Sequence, residues 1–377
     1  MKTIIRYSRF VSNAFGDGGS KRSAQIEELL EKANVDYSNI EFILPKGELF
    51  FVRLRRLVEG LRFLSHHFSL KEIRTIRNWI VMAKYFGLRI PLFEKYADKD
   101  GCFLNEDTTP GAFGYHYLAK SIGKKIIAIP HNLESLCWEG IDLQSGKHRL
   151  EWLFEDIKRL KMCDAVFCIS KEESWLLQIY GVKAHYLPYY PPKEAEEYLL
   201  NVRKKRQERK PNRTLKFLIL GSAENPPTLH GMEEVLSYLN THEKLPFEVH
   251  VAGYKTEEFL QQVIHPQIVY HGTLSKEELE QQLVETDALV INQSATSGAL
   301  TRIVEHLIAG IPVVASYGAA RDYYQNPDIR VFDSWEALKG ILEEFQPYVP
   351  QMPQRNKACQ DLFIDTIIEL LSETQRT

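Results

Sequence analysis

The run DALVINQSATSGALTRIVEHLIAGIPVVAS, residues 287–316, gathers the groups best suited to chemistry in this chain of 377 residues. An apolar stretch gives way to a polar loop holding Ser294, Thr296, Ser297 and Gly298. Helical periodicity follows through Arg302 and Glu305, then Gly310 and a second apolar stretch. That order predicts strand, loop, helix and strand. The backbone N–H groups of Gly298, Ala299, Leu300 and Thr301 then open a helix without intrahelical acceptors, a site for an anion such as a diphosphate. Gly298 lets that anion approach closely. Glu305 falls about two turns into the helix, where its carboxylate can accept hydrogen bonds from two hydroxyls of a ribose. The same pattern with one buried Glu can also be purely structural.

Two other runs place polar groups after apolar ones. In CFLNEDTTPGAFGYH, Glu106 and Asp107 are either general bases or caps of the following turn and helix. His131 follows KKIIAIP, at the carboxyl end of an expected strand, where ligand sites gather in open parallel sheets; alternatively it caps the loop His131–Ser135. Asp98-Lys99-Asp100 spells D-x-D, but it precedes Gly101 and the strand CFL, at a turn rather than at a strand's carboxyl end, so no metal site is expected there. His66, His67 and His116 lack companion ligands at suitable spacing. No G-x-G-x-x-G follows a strand, and neither G-x-x-x-x-G-K-[ST] nor G-x-S-x-G occurs, which removes the best support for a dehydrogenase, a P-loop ATPase or a serine hydrolase.

These residues require strands that end at a common edge, and the sequence supplies candidates. Short β-branched and aromatic runs alternate with stretches of helical period, as in βαβ units feeding a parallel sheet. The first half offers 3–7, 40–44, 102–104, 125–129, 165–169 and 184–187; the second offers 215–220, 247–252, 268–271, 288–291, 312–315 and 330–332. Two doubly wound sheets follow. Prolines at 188, 191 and 192 and a charge-rich stretch separate them, giving a first domain over 1–195, a charged linker over 196–212, a second domain over 213–350 and a closing helix over 351–377. That helix presents Ile364, Ile367, Ile368 and Leu371 at helical spacing. The cluster Arg203, Lys204, Lys205, Arg206, Arg209 and Lys210 reads as a solvated helix face or as a contact for an anionic surface. Residues 51–91 interleave Arg53, Arg55, Arg56, Arg62, Lys71, Arg74 and Arg77 with apolar side chains. They form either a surface helix pair or an element lying on an anionic membrane.

Apolar residues make up 44% and charged residues 26% of the chain, values that exclude a disordered, collagenous or disulfide-scaffold protein. The five cysteines are odd in number and form no C-x-x-C pair, which fits a reducing cytoplasm. The net charge of -3 does not point to nucleic acid. No stretch reaches the roughly 18 apolar residues of a membrane span, and MKTIIRYSRF lacks an apolar signal core. A soluble cytoplasmic protein, with peripheral contact on the inner face of the membrane as an option, is expected.

The segment EHLIAGIPVV, residues 305–314, resembles the end of the donor site in GT-B glycosyltransferases of the family 4-like branch. KFLILGSAENPPTLHGMEEVL and FEVHVAG resemble the start and middle of that family's donor domain. GDGGSKRSAQIEELL, with Gly18 and Gly19, resembles its glycine-containing loop after the first strand. IIAIPHN resembles the strand that leads to the family's His, here His131. The resemblance implies an α/β protein of two Rossmann-like doubly wound parallel-sheet domains facing across a cleft. It implies transfer of a sugar from a nucleotide-diphosphate sugar to a hydroxyl of a glycan or glycolipid acceptor, with retention and without a metal or other cofactor, in bacterial-type surface polysaccharide or glycolipid synthesis.

Within that resemblance Glu305 holds the ribose, His131 orients the donor sugar, and residues 297–301 with the 18–19 loop bind the diphosphate. The family's Glu eight positions before the ribose-binding Glu is Ser297 here. The loop GSAENPPTLHG lacks the usual cations, leaving Arg302 to neutralise the departing diphosphate or to pair with a neighbouring carboxylate. If the chemistry inverts, Glu106, Asp107, His131 and Glu134 are the candidate bases. A sugar-nucleotide epimerase and a noncatalytic nucleotide-sugar-binding partner subunit are the alternatives on the same fold.

Overall fold

The structure is a computed structural model that describes residues 3–40, 50–68, 76–109, 112, 114–137, 149–211, 214–294, 297–323 and 325–373. Among the described residues twelve strands form two parallel six-stranded sheets. In the first half these are β1 (Thr3–Tyr7), β2 (Asp36–Asn39), β3 (Gly101–Asn105), β4 (Lys125–Ala128), β5 (Ala165–Cys168) and β6 (Ala184–Tyr186). The second half holds β7 (Lys216–Leu220), β8 (Glu248–Ala252), β9 (Ile268–Gly272), β10 (Ala288–Ile291), β11 (Val313–Ser316) and β12 (Ile329–Phe332). The orders are β2-β1-β3-β4-β5-β6 and β12-β11-β10-β7-β8-β9. Each sheet therefore reverses direction once, between β1 and β3 and between β7 and β10. The carboxyl ends of those pairs are where ligands bind in doubly wound sheets.

The strands form because their runs are apolar on both faces. All residues of β3, β5 and β10 are buried, as expected where helices cover a parallel sheet on each side. Alternation divides them between layers: Phe103 and Ile126 face one core of the first domain, and Leu104 and Ile127 the other.

Two expectations change. The strand expected at 40–44 lies earlier, at Asp36–Asn39, with residues 41–44 outside the described ones. β2 is an edge strand with both end residues exposed, so backbone pairing with β1, and not an apolar run, defines it. The stretch expected as a charged linker is mostly a packed helix, Lys193–Glu208, with Val202 wholly buried. Its basic residues serve the ends of other helices. Arg206 donates to Leu283 O and Thr286 O at 2.6 Å and to Gly310 O at 3.0 Å, and Arg203 to Leu307 O at 3.0 Å. Cations at carbonyl-rich helix C-termini complement the helix dipole.

The last helix, Lys357–Glu373, packs on the first domain, where Phe363 and Ile367 are wholly buried beside Ile4, Leu29 and Phe167. Each such side chain contributes about 1.5–3 kcal/mol of burial. Of the residues expected on its inner face, Ile368 is exposed, and Phe363 and Leu370 are buried instead.

Candidate active site in the interdomain cleft

The loop after β10 enters the helix Thr301–Ile308, whose Ile303, Val304, Leu307 and Ile308 are buried. Gly310, at φ +77, ends it: Gly310 N donates to Leu307 O at 3.1 Å and Ile311 N to His306 O at 2.8 Å, a Schellman closure. No side chain caps the other end, at Leu300. Across the cleft the helix Gly18–Lys32 begins behind Asp17, whose carboxylate accepts from Ser20 N at 2.7 Å. The two helix starts meet. A Cβ on Gly18 would stand 3.6 Å from Thr301 Oγ1, and Gly19 packs against the ring of Phe10. Two N-termini converging on one cleft form a strongly anion-seeking arrangement.

Glu305 faces the same cleft and is engaged from the first domain. Lys21 Nζ donates to its Oε2 at 2.6 Å and Tyr189 OH to its Oε1 at 2.8 Å. His306 points away and donates through Nδ1 to Arg302 O at 2.6 Å, with burial pushing its pKa down to about 4. Arg302 lies at the reversal of the second sheet. Its Nη1 donates to Leu220 O at 3.1 Å and its Nη2 to Gln293 Oε1 at 2.9 Å, while Nε has no partner. Both acceptors are neutral, and among the described residues no carboxylate pairs with it; burial alone lowers its pKa to about 10. Arg302 is thus a partly buried cation that no carboxylate of the described residues neutralises.

Gly298, at φ +78, lies against the first-domain loop. A Cβ there would lie 2.2 Å from Asn132 Oδ1 and 2.9 Å from His131 O, so the glycine lets the first-domain loop touch the second domain. Gly298 N donates to Glu173 Oε1 at 2.9 Å, Leu133 N donates to the same oxygen at 2.9 Å, and Ser297 Oγ donates to it as well. Glu173 sits on the first turn of the helix Lys171–Ile179. Its carboxylate fills part of the expected anion site, and its Oε2 is buried without a partner. Burial pushes its pKa up despite those donors. The seam has a reciprocal contact: Asp322 of the second domain accepts from Lys171 N at 3.0 Å and Tyr186 OH at 3.2 Å. Burial, with Glu172 nearby, raises its pKa to about 6. Thr296 lies outside the described residues.

The first-domain floor is differently built. Glu106 follows β3 and is wholly buried; its Oε1 accepts from Arg6 Nε at 2.5 Å and its Oε2 from Ser23 Oγ. His131 Nε2 is 3.6 Å from Oε2, and its ring stacks on Phe10 at 4.8 Å. Burial alone would raise the Glu106 pKa, but His131 and Arg6 outweigh it and bring it down to about 2. A carboxylate so stabilised is a weak base. Asp107 accepts from Thr109 N at 2.9 Å, a turn cap. Glu106 is thus engaged on both oxygens, and Asp107 caps its turn through one oxygen, which matches the capping alternative of the two open for them. Glu134 opens a short 3-10 turn after His131. The D-x-D segment lies at the opposite edge of the sheet, where Asp100 O accepts from Thr3 N at the start of β1.

Sequence reasoning missed Lys21, Arg22, Glu173, Tyr189 and Asp322. Lys21 and Arg22 directly follow Gly18-Gly19-Ser20, a legible signal of two cations on a helix's first turns. Arg22 is wholly buried, donates to Gln25 Oε1 at 2.5 Å and leaves Nε and Nη2 without partners. The other three join residues more than a hundred positions apart and leave no local trace.

No protein-family model matches the sequence, and no curated protein is similar to it in sequence. Solved structures are similar over the whole chain. The chain superposes on Anabaena Alr3699/HepE in complex with UDP with a TM-score of 0.55 at 11% identity, over 100% of this chain and 98% of that one. For the α,α-trehalose 6-phosphate synthase of Burkholderia multivorans the TM-score is 0.57 at 11% identity, covering 100% and 99%. For the sucrose-phosphate synthase of Thermosynechococcus elongatus it is 0.56 at 12%, covering 100% and 98%. The chain has the GT-B fold, with two Rossmann-like parallel-sheet domains facing across a cleft.

Proposed function

We propose that the chain is a glycosyltransferase that moves a sugar from a nucleotide-diphosphate sugar to an acceptor hydroxyl. The observation that carries this reading is the convergence of two helix N-termini, at Gly18 and Thr301, beside Arg302, a partly buried cation that no carboxylate of the described residues pairs with. Such a pocket favours a diphosphate over neutral ligands. HepE of the same fold has been crystallised with UDP, with UDP and glucose, and with UDP-glucose.

In this reading the donor enters as the domains part, and Glu305 exchanges Lys21 and Tyr189 for the ribose hydroxyls. The amides of residues 298–301 and Arg302 then stabilise charge gathering on the departing diphosphate, the point at which preorganised donors lower a barrier most. Arg6 and Glu106 hold His131 in place to orient the donor sugar. With both oxygens of Glu106 engaged, an oxygen of the leaving phosphate serves in this reading as the base for the acceptor hydroxyl, which corresponds to transfer with retention. A glycan or glycolipid acceptor, surface polysaccharide or glycolipid synthesis and a cytoplasmic setting complete the reading.

Glu173, seated on Ser297 and Gly298, favours one rival: a noncatalytic subunit whose donor site is filled by its own carboxylate. Calorimetric titration of UDP, GDP and ADP and their monophosphates, followed by incubation with the matching nucleotide sugars and an acceptor panel, separates the two. The expected result is one preferred diphosphate, bound at least about tenfold more tightly than its monophosphate, with release of diphosphate on transfer. Equal affinity for both would remove the diphosphate site. Binding without turnover would favour the rival, and an epimer formed without acceptor would favour epimerase chemistry.

A further inference from the structure

The paired helices Phe50–His67 and Ile76–Glu94 play no part in that reading. They pack antiparallel, backbone against backbone: a Cβ on Gly60 would stand 1.9 Å from Ala83 O, and one on Gly87 1.9 Å from Arg56 O. Their inner side, with Leu64, Ala83, Phe86 and Phe93, is buried in the first-domain core. Elsewhere on the pair several large apolar side chains are exposed. Phe50 is 71% exposed, Phe51 80% and Ile76 81%, and Leu54, Val58 and Ile80 are exposed as well. Positions 50, 54 and 58 recur at one helical turn and make a stripe.

Among the described residues, nine of the twenty-four exposed large apolar side chains lie between 50 and 81. Scattered single exposures need no explanation, but a contiguous patch marks a docking surface.

The charge on this element selects the partner. The two helices carry seven Lys and Arg against Glu59 and Glu94, in a chain whose net charge is -3. Arg53, Arg62 and Arg77 are exposed on the same helix pair. A second copy docked through the same face would set these cations against one another, because a two-fold interface is self-complementary. An anionic surface meets both features at once. No helix of the described residues is long and apolar enough to cross a membrane, so the pair would lie in the interface plane.

We propose that this outer face docks on an anionic lipid bilayer, with Phe50 and Phe51 entering the headgroup–acyl boundary and Arg53, Arg62 and Arg77 meeting lipid phosphates. Binding is then salt-sensitive, because surface charges are screened.

The test is flotation of the full chain with vesicles of phosphatidylcholine alone and of an equimolar mixture with phosphatidylglycerol, at low and high salt. Binding to the mixed vesicles only, weakened by salt, is expected. The double variants Phe50→Ser with Phe51→Ser and Arg53→Glu with Arg77→Glu should each lower the bound fraction at least about tenfold. Their thermal transitions should stay unchanged, because all four side chains are exposed. In Phe51→Trp, added tryptophan emission should shift to the blue on mixed vesicles alone. Absence of binding to mixed vesicles at low salt would overturn the proposal, as would binding indifferent to all four substitutions. Self-association without vesicle binding, lost in the Phe50→Ser and Phe51→Ser variant, would assign the face to a second copy instead. No nucleotide or turnover enters this test, so its failure leaves the transferase reading untouched.

Discussion

The floor of the first domain and the seam between the domains both hold buried carboxylates, and the surroundings treat them in opposite ways. On the floor, Glu106 meets the Arg6 guanidinium, Ser23 and His131, and its pKa falls to about 2. At the seam, Glu173 meets two backbone N–H groups and a hydroxyl, Asp322 meets one N–H and one hydroxyl, and both are pushed up. A carboxylate with a buried cation is built to keep its charge; one held chiefly by neutral donors keeps it at a cost. The floor therefore rests on a charge pair, whereas the contacts between the domains rest chiefly on neutral donors. Arg302, bonded within the second domain, is the cationic counterpart, solvated by a carbonyl and an amide.

The largest effect should come from breaking the floor. Glu106→Ala leaves buried Arg6 only the more distant carboxylate of Glu27, at 3.6 Å, which costs up to about 3–5 kcal/mol and is read as a large fall in denaturation midpoint. A glutamate titrates near 4.3 when unfolded, so the native carboxylate contributes stability above that pH and loses it as pH falls toward about 2. The acid limb of the stability profile should therefore flatten in Glu106→Gln. A small loss with an unchanged limb would show that the floor is not held by this pair.

Arg302→Met makes the opposite case. Removing a partly buried cation that no described carboxylate pairs with should leave stability about equal or higher, while transfer falls about a hundredfold or more, mainly in kcat. Loss of stability in step with activity would make Arg302 scaffold as well. Glu305→Gln should weaken nucleotide binding about ten- to a hundredfold, since a charge-assisted hydrogen bond contributes about 1.5–3 kcal/mol. Calorimetry that finds wild-type affinity in a destabilised fold would assign Glu305 to its contacts with Lys21 and Tyr189.

The smallest effect is expected at Asp322. An aspartate titrates near 4 when unfolded, and folded Asp322 near 6. Between those values the native state holds a proton that the unfolded chain has released, so stability falls as pH rises through the window. Asp322→Asn should remove that fall and make the protein slightly more stable at pH 7, as measured by thermal unfolding across the range. A variant less stable at pH 7 would show that the ionised carboxylate clamps the seam.

How legible these regions are in the sequence follows the same division. Strand runs such as KIIA and ALVI announce themselves because burial on both faces leaves them apolar. The helix start at Thr301 is legible because loop, glycine and helical period are adjacent in sequence. β2 is not, because an edge strand reading DYSN is defined by pairing with β1. The packed helix Lys193–Glu208 is masked by its charge: Arg203 and Arg206 look solvated, and only the fold shows that they meet helix-end carbonyls. The seam is the least legible part. Glu173 and Ser297 are 124 positions apart, and nothing in either segment reveals that they touch.

The most direct test of the diphosphate site is a crystal structure of the chain with the nucleoside diphosphate that binds best in a panel. The phosphates should lie between the first turns of Gly18–Lys32 and Thr301–Ile308, within hydrogen-bonding distance of Arg302, with the ribose on Glu305 and Glu173 withdrawn from Gly298. A nucleotide bound outside the cleft, or inside it with Glu173 still seated on Ser297 and Gly298 and Arg302 still bonded only to Leu220 and Gln293, would contradict it.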